Sequence, residues 1–369
     1  MNSLRTALTT AQHAALCHLR ARGAAGYEDA VARIGASTRK AADQRHERGI
    51  GERAGREAAD ALVSLVGDHA RITLNFHPDR LLADGLTVAE SLSLDGRYRS
   101  QYETGLSNGS RTAVPGGLRD DWELALFGGA YHADGVRASD RPKYGALNVY
   151  AHPDGASPRF GSCHVRLRPE VSHRSTFCHG GSQEGPADVG TIDAFACVLA
   201  GLLEEDPCAA DIVGQLPYAA PGAVPGHLNG RKLDEFVEAQ VHGDIDLAAD
   251  AEALVLDPSF RDTETGRLLT ALARRCGIEV EWHAGFVLAP EEVDAEFRGP
   301  VMVPLAARIC SSYAPTGMLD AEVLGHAAAS AVREPEAWAD WGTRDEVLQY
   351  VKQLWHVLVR YGHPGPTSV

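Results

Sequence analysis

Apolar residues recur at helical spacing near the start of the chain, where Leu4, Leu8, Ala11, Ala15 and Leu19 form one stripe. A Gly/Ala break at 23–26 separates this stripe from a second amphipathic stretch at 27–36. The charged run 39–56 predicts a solvated face, and 58–66 supplies another apolar stripe. Residues 1–68 thus read as a helical cap or small bundle. The pattern then changes. Residues 71–76 are β-rich. Residues 87–94 predict a short helix that opens with a capping box, Thr87 with Glu90 three residues on. Residues 95–120 are rich in Gly, Ser and Arg and read as a long loop, a feature more often functional than idle. Strands are expected at 144–150 and 163–167, a loop at 180–190, a helix at 191–203 and a Pro/Gly connector at 217–226. Phe236-Val237-Glu238-Ala239-Gln240-Val241-His242-Gly243 places one acid in a strand-like run, and further strands are expected at 244–247 and 253–256. A helix at 263–276, a strand at 278–282 and helices at 304–308, 322–332 and 343–361 complete the reading. Short strands interleaved with helices predict an α+β chain with helices added at both ends.

Composition narrows the function classes. The chain has 369 residues, 44% hydrophobic and 23% charged, as in ordinary globular proteins. Its formal charge of −15 argues against a broad nucleic-acid or anionic-membrane surface. A local basic cleft is compatible with that charge, and Arg97, Arg99, Arg111 and Arg119 are candidates to line it. No apolar run approaches the roughly 20 residues that span a bilayer, so no membrane partner is expected. Seven scattered cysteines without a CxxC pair suggest reduced thiols and a cytoplasmic setting.

Several segments carry candidate chemistry. His77 ends a strand before Pro78 and can hydrogen-bond a ribose hydroxyl, or can be an ordinary turn histidine. In Gly128-Gly129-Ala130-Tyr131, glycines would admit a ligand to the backbone and the ring would stack on a heterocycle; the plain alternative is a turn leading to a core tyrosine. Tyr144 is a second candidate ring, and Ser139 between them can bind an amide. The stretch 98–111 is dense in hydrogen-bonding groups, and Arg99 and Arg111 there suit a pyrophosphate. Its Gly105-Leu106-Ser107-Asn108-Gly109 string lacks the apolar strand and following helix of a nucleophile elbow. No Walker loop, dinucleotide fingerprint or zinc-type Cys/His spacing occurs, and no metal site is expected.

Taken together, His77 in Leu74-Asn75-Phe76-His77, Gly129-Ala130-Tyr131, Tyr144 and Glu238 resemble the His-Tyr-Glu branch of the ADP-ribosyltransferase superfamily, which includes the diphtheria-toxin-like and poly(ADP-ribose) polymerase-like enzymes. The chain as a whole also looks like members of an uncharacterised bacterial family. The superfamily resemblance covers about 71–260 and implies a split β-sheet core, placed at 69–289 between helical regions 1–68 and 290–369. It implies a glycosyltransferase that takes NAD as substrate, releases nicotinamide and moves ADP-ribose to an acceptor, which is a protein, a nucleic acid or a small molecule. Water as acceptor would make it an NAD glycohydrolase. By the same resemblance His77 would hold the adenosine-side ribose, and Tyr131 and Tyr144 would sandwich nicotinamide. Glu238 would act on the nicotinamide ribose, with Gln240 an alternative occupant of the catalytic position. A 2′-phosphotransferase-like enzyme, a metal-dependent hydrolase and a non-catalytic binding protein on the same fold stay open as other classes.

Overall fold

The structure is a computed structural model and describes residues 7–44, 52–105, 113–206, 209–216, 230–234 and 236–365. The chain is α+β. Among the described residues ten strands follow in order: β1 (Arg71–Phe76), β2 (Arg97–Tyr98), β3 (Lys143–Asn148), β4 (Cys163–Leu167), β5 (Ser175–His179), β6 (Val189–Thr191), β7 (Val237–Val241), β8 (Ile245–Asp246), β9 (Ala251–Leu256) and β10 (Glu279–Trp282). Eight form one sheet in the order β10-β9-β4-β1-β3-β7-β5-β6, and β2 pairs with β8 in a small ribbon. Within the large sheet only the β9–β10 pair is parallel, joined through the helix Glu264–Cys276.

Alternation decides which face of each strand meets the core. On β1, Ile72, Leu74 and Phe76 enter the main hydrophobic cluster, as do Val237, Ala239 and Val241 on β7. That cluster runs from Ala30 in the helix Tyr27–Gln44 to Val359 in the helix Arg344–Tyr361. It thus joins the N-terminal helices, the sheet and the C-terminal helices. The opposite face carries the polar partners. Cross-strand register sets Thr73, Ala146, Glu238 and Cys178 in one row across β1, β3, β7 and β5. Tyr144, Gln240 and Thr176 form the next row.

Several elements fall where the pattern put them. The strand at 71–76 and the capping box of Thr87 and Glu90 on the helix Val88–Asp95 are both present. Three expectations need correction. The stretch 95–120 is not all loop. It holds β2, the short helix Gln101–Thr104 capped by Ser100, and the start of the helix Leu118–Phe127. The 180–190 loop ends in β6, and β5 before it had no expectation at all. The strand expected at 244–247 is the two-residue β8, because the Asp246 side chain accepts the Ala249 N–H and starts a helical turn, Leu247–Asp250. The connector at 217–226, Arg111 and Ser107 of the GxSxG string lie outside the described residues.

Candidate functional site

Glu238 and Gln240 alternate along β7, and His242, the residue just past its end, continues the same spacing on the face away from the main core. All three are buried, yet each is bonded. The Gln240 amide donates Nε2–H to Glu238 Oε1 at 2.9 Å, and the Ser182 backbone N–H reaches Glu238 Oε2 at 3.3 Å. Thr176 Oγ1 donates to Gln240 Oε1 at 2.7 Å. The single Thr176 proton is then spent, so the 3.1 Å contact between Thr176 Oγ1 and His242 Nε2 requires the imidazole to donate. Burial lowers the His242 pKa to about 3, so the ring is neutral and its Nδ1 carries a lone pair. Tyr131 O–H therefore donates to Nδ1 across 2.5 Å. The result is a one-way chain of donors, Tyr131 to His242 to Thr176 to Gln240 to Glu238. Such chains polarise their members cooperatively. This one converges on a carboxylate whose pKa is raised chiefly by burial.

Glu238 faces a cavity of about 320 Å³. It is the one carboxylate among the described residues lining it. Arg80, Arg97, Arg99, Arg119, Lys143, Arg159 and Lys352 line the same space. Some of these are anchored in the protein: Arg97 pairs with Asp244, Arg159 with Asp234 and Arg99 with Asp95, the last at 2.7 Å. Arg119 is different. Its Nε and Nη1 are buried without a hydrogen-bond partner among the described residues, and its guanidinium lies 4.4 Å from the centroid of the Tyr144 ring. A buried polar group left unbonded costs about 1–3 kcal/mol, so the position is poised for an acceptor from outside.

The Tyr144 ring is held by its own hydroxyl. Tyr144 Oη donates to Glu123 Oε1 at 2.8 Å, and Arg141 Nη1 meets Glu123 Oε2 at 2.6 Å and Asp120 Oδ1 at 2.7 Å. Asp120 and Glu123 are one helical turn apart on Leu118–Phe127, which is why both reach the same arginine.

The expected site residues divide cleanly. His77, Tyr144, Arg99 and Glu238 all line the cavity. They come from the end of β1, from β3, from the strand-to-helix segment after β2 and from β7, and β1, β3 and β7 are neighbours in the sheet. His77 is kept neutral by burial, with its pKa lowered to about 3, and meets the Trp355 ring edge-on at 5.1 Å. Gln240 is fully buried behind Glu238 and does not reach the cavity, so Glu238 holds the exposed end of the network. Tyr131 is not a cavity residue. It packs with Leu19, Leu126 and Phe127 in a separate buried cluster and has no free face for stacking on a ligand. Gly129 and Gly128 sit at φ +82° and +60° and terminate the helix Leu118–Phe127, so their freedom serves the turn. Ser139 contributes its carbonyl to Lys143 Nζ at 2.8 Å and lies off the cavity. The sequence reading missed Thr176, His242, Glu123, Arg141, Arg80 and Lys352. One signal was in view: His242 repeats the Glu-x-Gln spacing on the same strand face. No group of three or more His, Cys, Asp or Glu able to hold a metal occurs among the described residues. Among them, too, no helix is long and apolar enough to cross a membrane.

Residues 71–224 and 222–361 match the family described as Protein of unknown function (DUF3626). The chain belongs to that family. The two matches together span the whole sheet, the residues that line the cavity and the C-terminal helices. No curated protein matches the chain.

Proposed function

We propose that the protein binds NAD in this cavity and transfers its ADP-ribosyl group to an acceptor, releasing nicotinamide. One observation carries the reading: a single buried carboxylate, fed by a one-way donor chain, faces a cavity whose other charged walls are cationic. A dinucleotide with a pyrophosphate and a reacting ribose is complementary to that arrangement. Arg119 and Arg80 would meet the pyrophosphate. The Tyr144 ring would pack against a flat heterocycle, its hydroxyl already engaged with Glu123. His77 would reach a ribose hydroxyl.

In the reaction the bond between C1′ and the nicotinamide nitrogen breaks, and its electron pair leaves with nicotinamide. C1′ becomes cationic and then bonds to the acceptor nucleophile, which gives up its proton. Glu238 would accept the 2′-hydroxyl hydrogen bond and stabilise the cationic sugar by fixed charge. It would also take the acceptor's proton as general base. The Gln240 and Ser182 donors hold the carboxylate before the substrate arrives, so little reorganisation is needed.

The test pairs calorimetry of NAD binding with chromatography of released nicotinamide, for wild type and Glu238→Gln. Binding by both proteins and release that collapses in the variant would support the reading. Absence of NAD binding by the wild type would overturn it.

A further inference from the structure

We propose that a second cavity, next to the first, binds a small organic anion with an apolar body. It measures about 610 Å³, within the range of small-molecule sites. It lies between the segment after β1 and the helices Ala321–Arg333 and Arg344–Tyr361. Its apolar wall is Leu324, Ala328, Leu348, Val351 and Trp355. Its cationic wall is Arg80 and Lys352, which, with His77 and Leu82, also line the first cavity. The two spaces thus share one side.

That shared wall is electrostatically incomplete. Among the described residues no carboxylate lies within ion-pairing distance of Arg80 or Lys352. Arg159 and Arg298 crowd Lys352 further, and burial together with these neighbours lowers its pKa to about 8. Burying cations without partners is costly, and an anion between them removes the cost. Two acids face this space: Asp345 pairs with Arg344 on the same wall at 3.2 Å, and Asp79 does not supply the missing charge either. The Asp79 carboxyl lies against Gly325, and burial raises its pKa to about 7, leaving it half-ionised at that pH and largely neutral below it. The apolar wall opposite sets the rest of the ligand class: an aromatic or aliphatic body ending in a carboxylate, sulfonate or phosphate. The proposal does not need NAD to bind: Arg80 and Lys352 serve both spaces, but the apolar wall belongs to the second space alone and the probe is different.

Fluorescence titration of the full chain with 8-anilinonaphthalene-1-sulfonate tests it, beside N-phenyl-1-naphthylamine, which keeps the apolar body and lacks the sulfonate. Wild type should bind the sulfonate saturably, at one site. Lys352→Gln should weaken the sulfonate about tenfold, the scale of one charged hydrogen bond, and leave the neutral probe unchanged. Ala328→Trp, which fills the apolar wall, should weaken both. Thermal melts confirm that each variant is folded, and Ala328→Leu replaces the tryptophan variant should that chain fail to fold. No saturable binding by wild type would overturn the proposal. So would a folded cavity-filling variant that binds as wild type does. Equal loss of both probes in Lys352→Gln would overturn the anionic part.

Discussion

Tyr131 and Tyr144 flank the same row of polar side chains and end in opposite environments. Tyr144 is half-buried, turns its ring to a cationic cavity and ties its hydroxyl back to Glu123. Tyr131 is fully buried among apolar groups and spends its hydroxyl on His242. The two residues bracket the Glu238 network: one end is open to a ligand, the other sealed in the core. Near the open end Arg119 has nitrogens with no partner, and at the sealed end each bonded group points its donor toward the carboxylate. The open end is where ligand chemistry is available, and the sealed end is where stability is spent to orient one carboxylate.

The sharpest way to break this contrast is to remove the charge at the open end. Glu238→Gln should lower nicotinamide release by about 100- to 1,000-fold, the usual loss for a preorganised electrostatic group. Stability should fall by at most about 1–3 kcal/mol, because the change removes a buried charge but turns one amide N–H toward the Gln240 or Ser182 donor that the carboxylate had accepted from. Steady-state release rates together with urea unfolding of the same sample check both halves. A comparable loss of stability would assign Glu238 to the scaffold.

At the sealed end the order of effects should reverse. Tyr131→Phe removes the donor to His242 Nδ1 and leaves a buried acceptor unbonded. Stability should fall by about 1–3 kcal/mol, while NAD affinity changes little. Denaturant unfolding and calorimetry give the two numbers. Large loss of NAD affinity with unchanged stability would place Tyr131 in the binding surface after all. Arg119→Gln is the matched change at the open end: about a tenfold loss of NAD affinity, as for one charged hydrogen bond, and little change in unfolding, because its Nε and Nη1 bond none of the described residues.

The same contrast explains what the sequence reveals. Alternation in Val237-Glu238-Ala239-Gln240-Val241 marks a strand with an acid on its polar face, and the acid does reach the cavity. His77 and Tyr144 are legible for a related reason, since each belongs to a strand-like run with a nearby break. Tyr131 carries the same kind of local signal and lands in the core, because Gly128 and Gly129 are needed to end a helix. What decides between the two tyrosines is contact with Leu19 and His242, distant in the chain and invisible in any local window. Lys352 and Trp355 are hidden in the same way: both read as parts of an amphipathic tail helix, yet they wall a cavity beside β1. The strand β5 escaped notice because Ser175, Thr176 and His179 break its apolar pattern, although pairing with β7 is what fixes Thr176 against Gln240.

The last effect concerns pH and sets the first cavity against the second. Glu238 is bonded by two donors from other residues, whereas Asp79 has its own backbone N–H and the Arg80 charge in favour of ionisation and burial, Glu322 and Asp257 against it. Burial raises the Asp79 pKa from the ordinary carboxyl range to about 7. Between those limits the folded chain binds more protons than the unfolded one. This group's contribution therefore favours folding at low pH and is lost as pH rises toward 7. Asp79→Asn keeps the shape and removes the charge, so it should raise the unfolding midpoint at pH 8, with the advantage shrinking as pH falls below 7 and vanishing near pH 4. Thermal melts of wild type and variant over that range give the difference directly. A difference that stays constant with pH would mean that Asp79 titrates as an exposed carboxylate does, and that the second cavity is wetter than its walls imply.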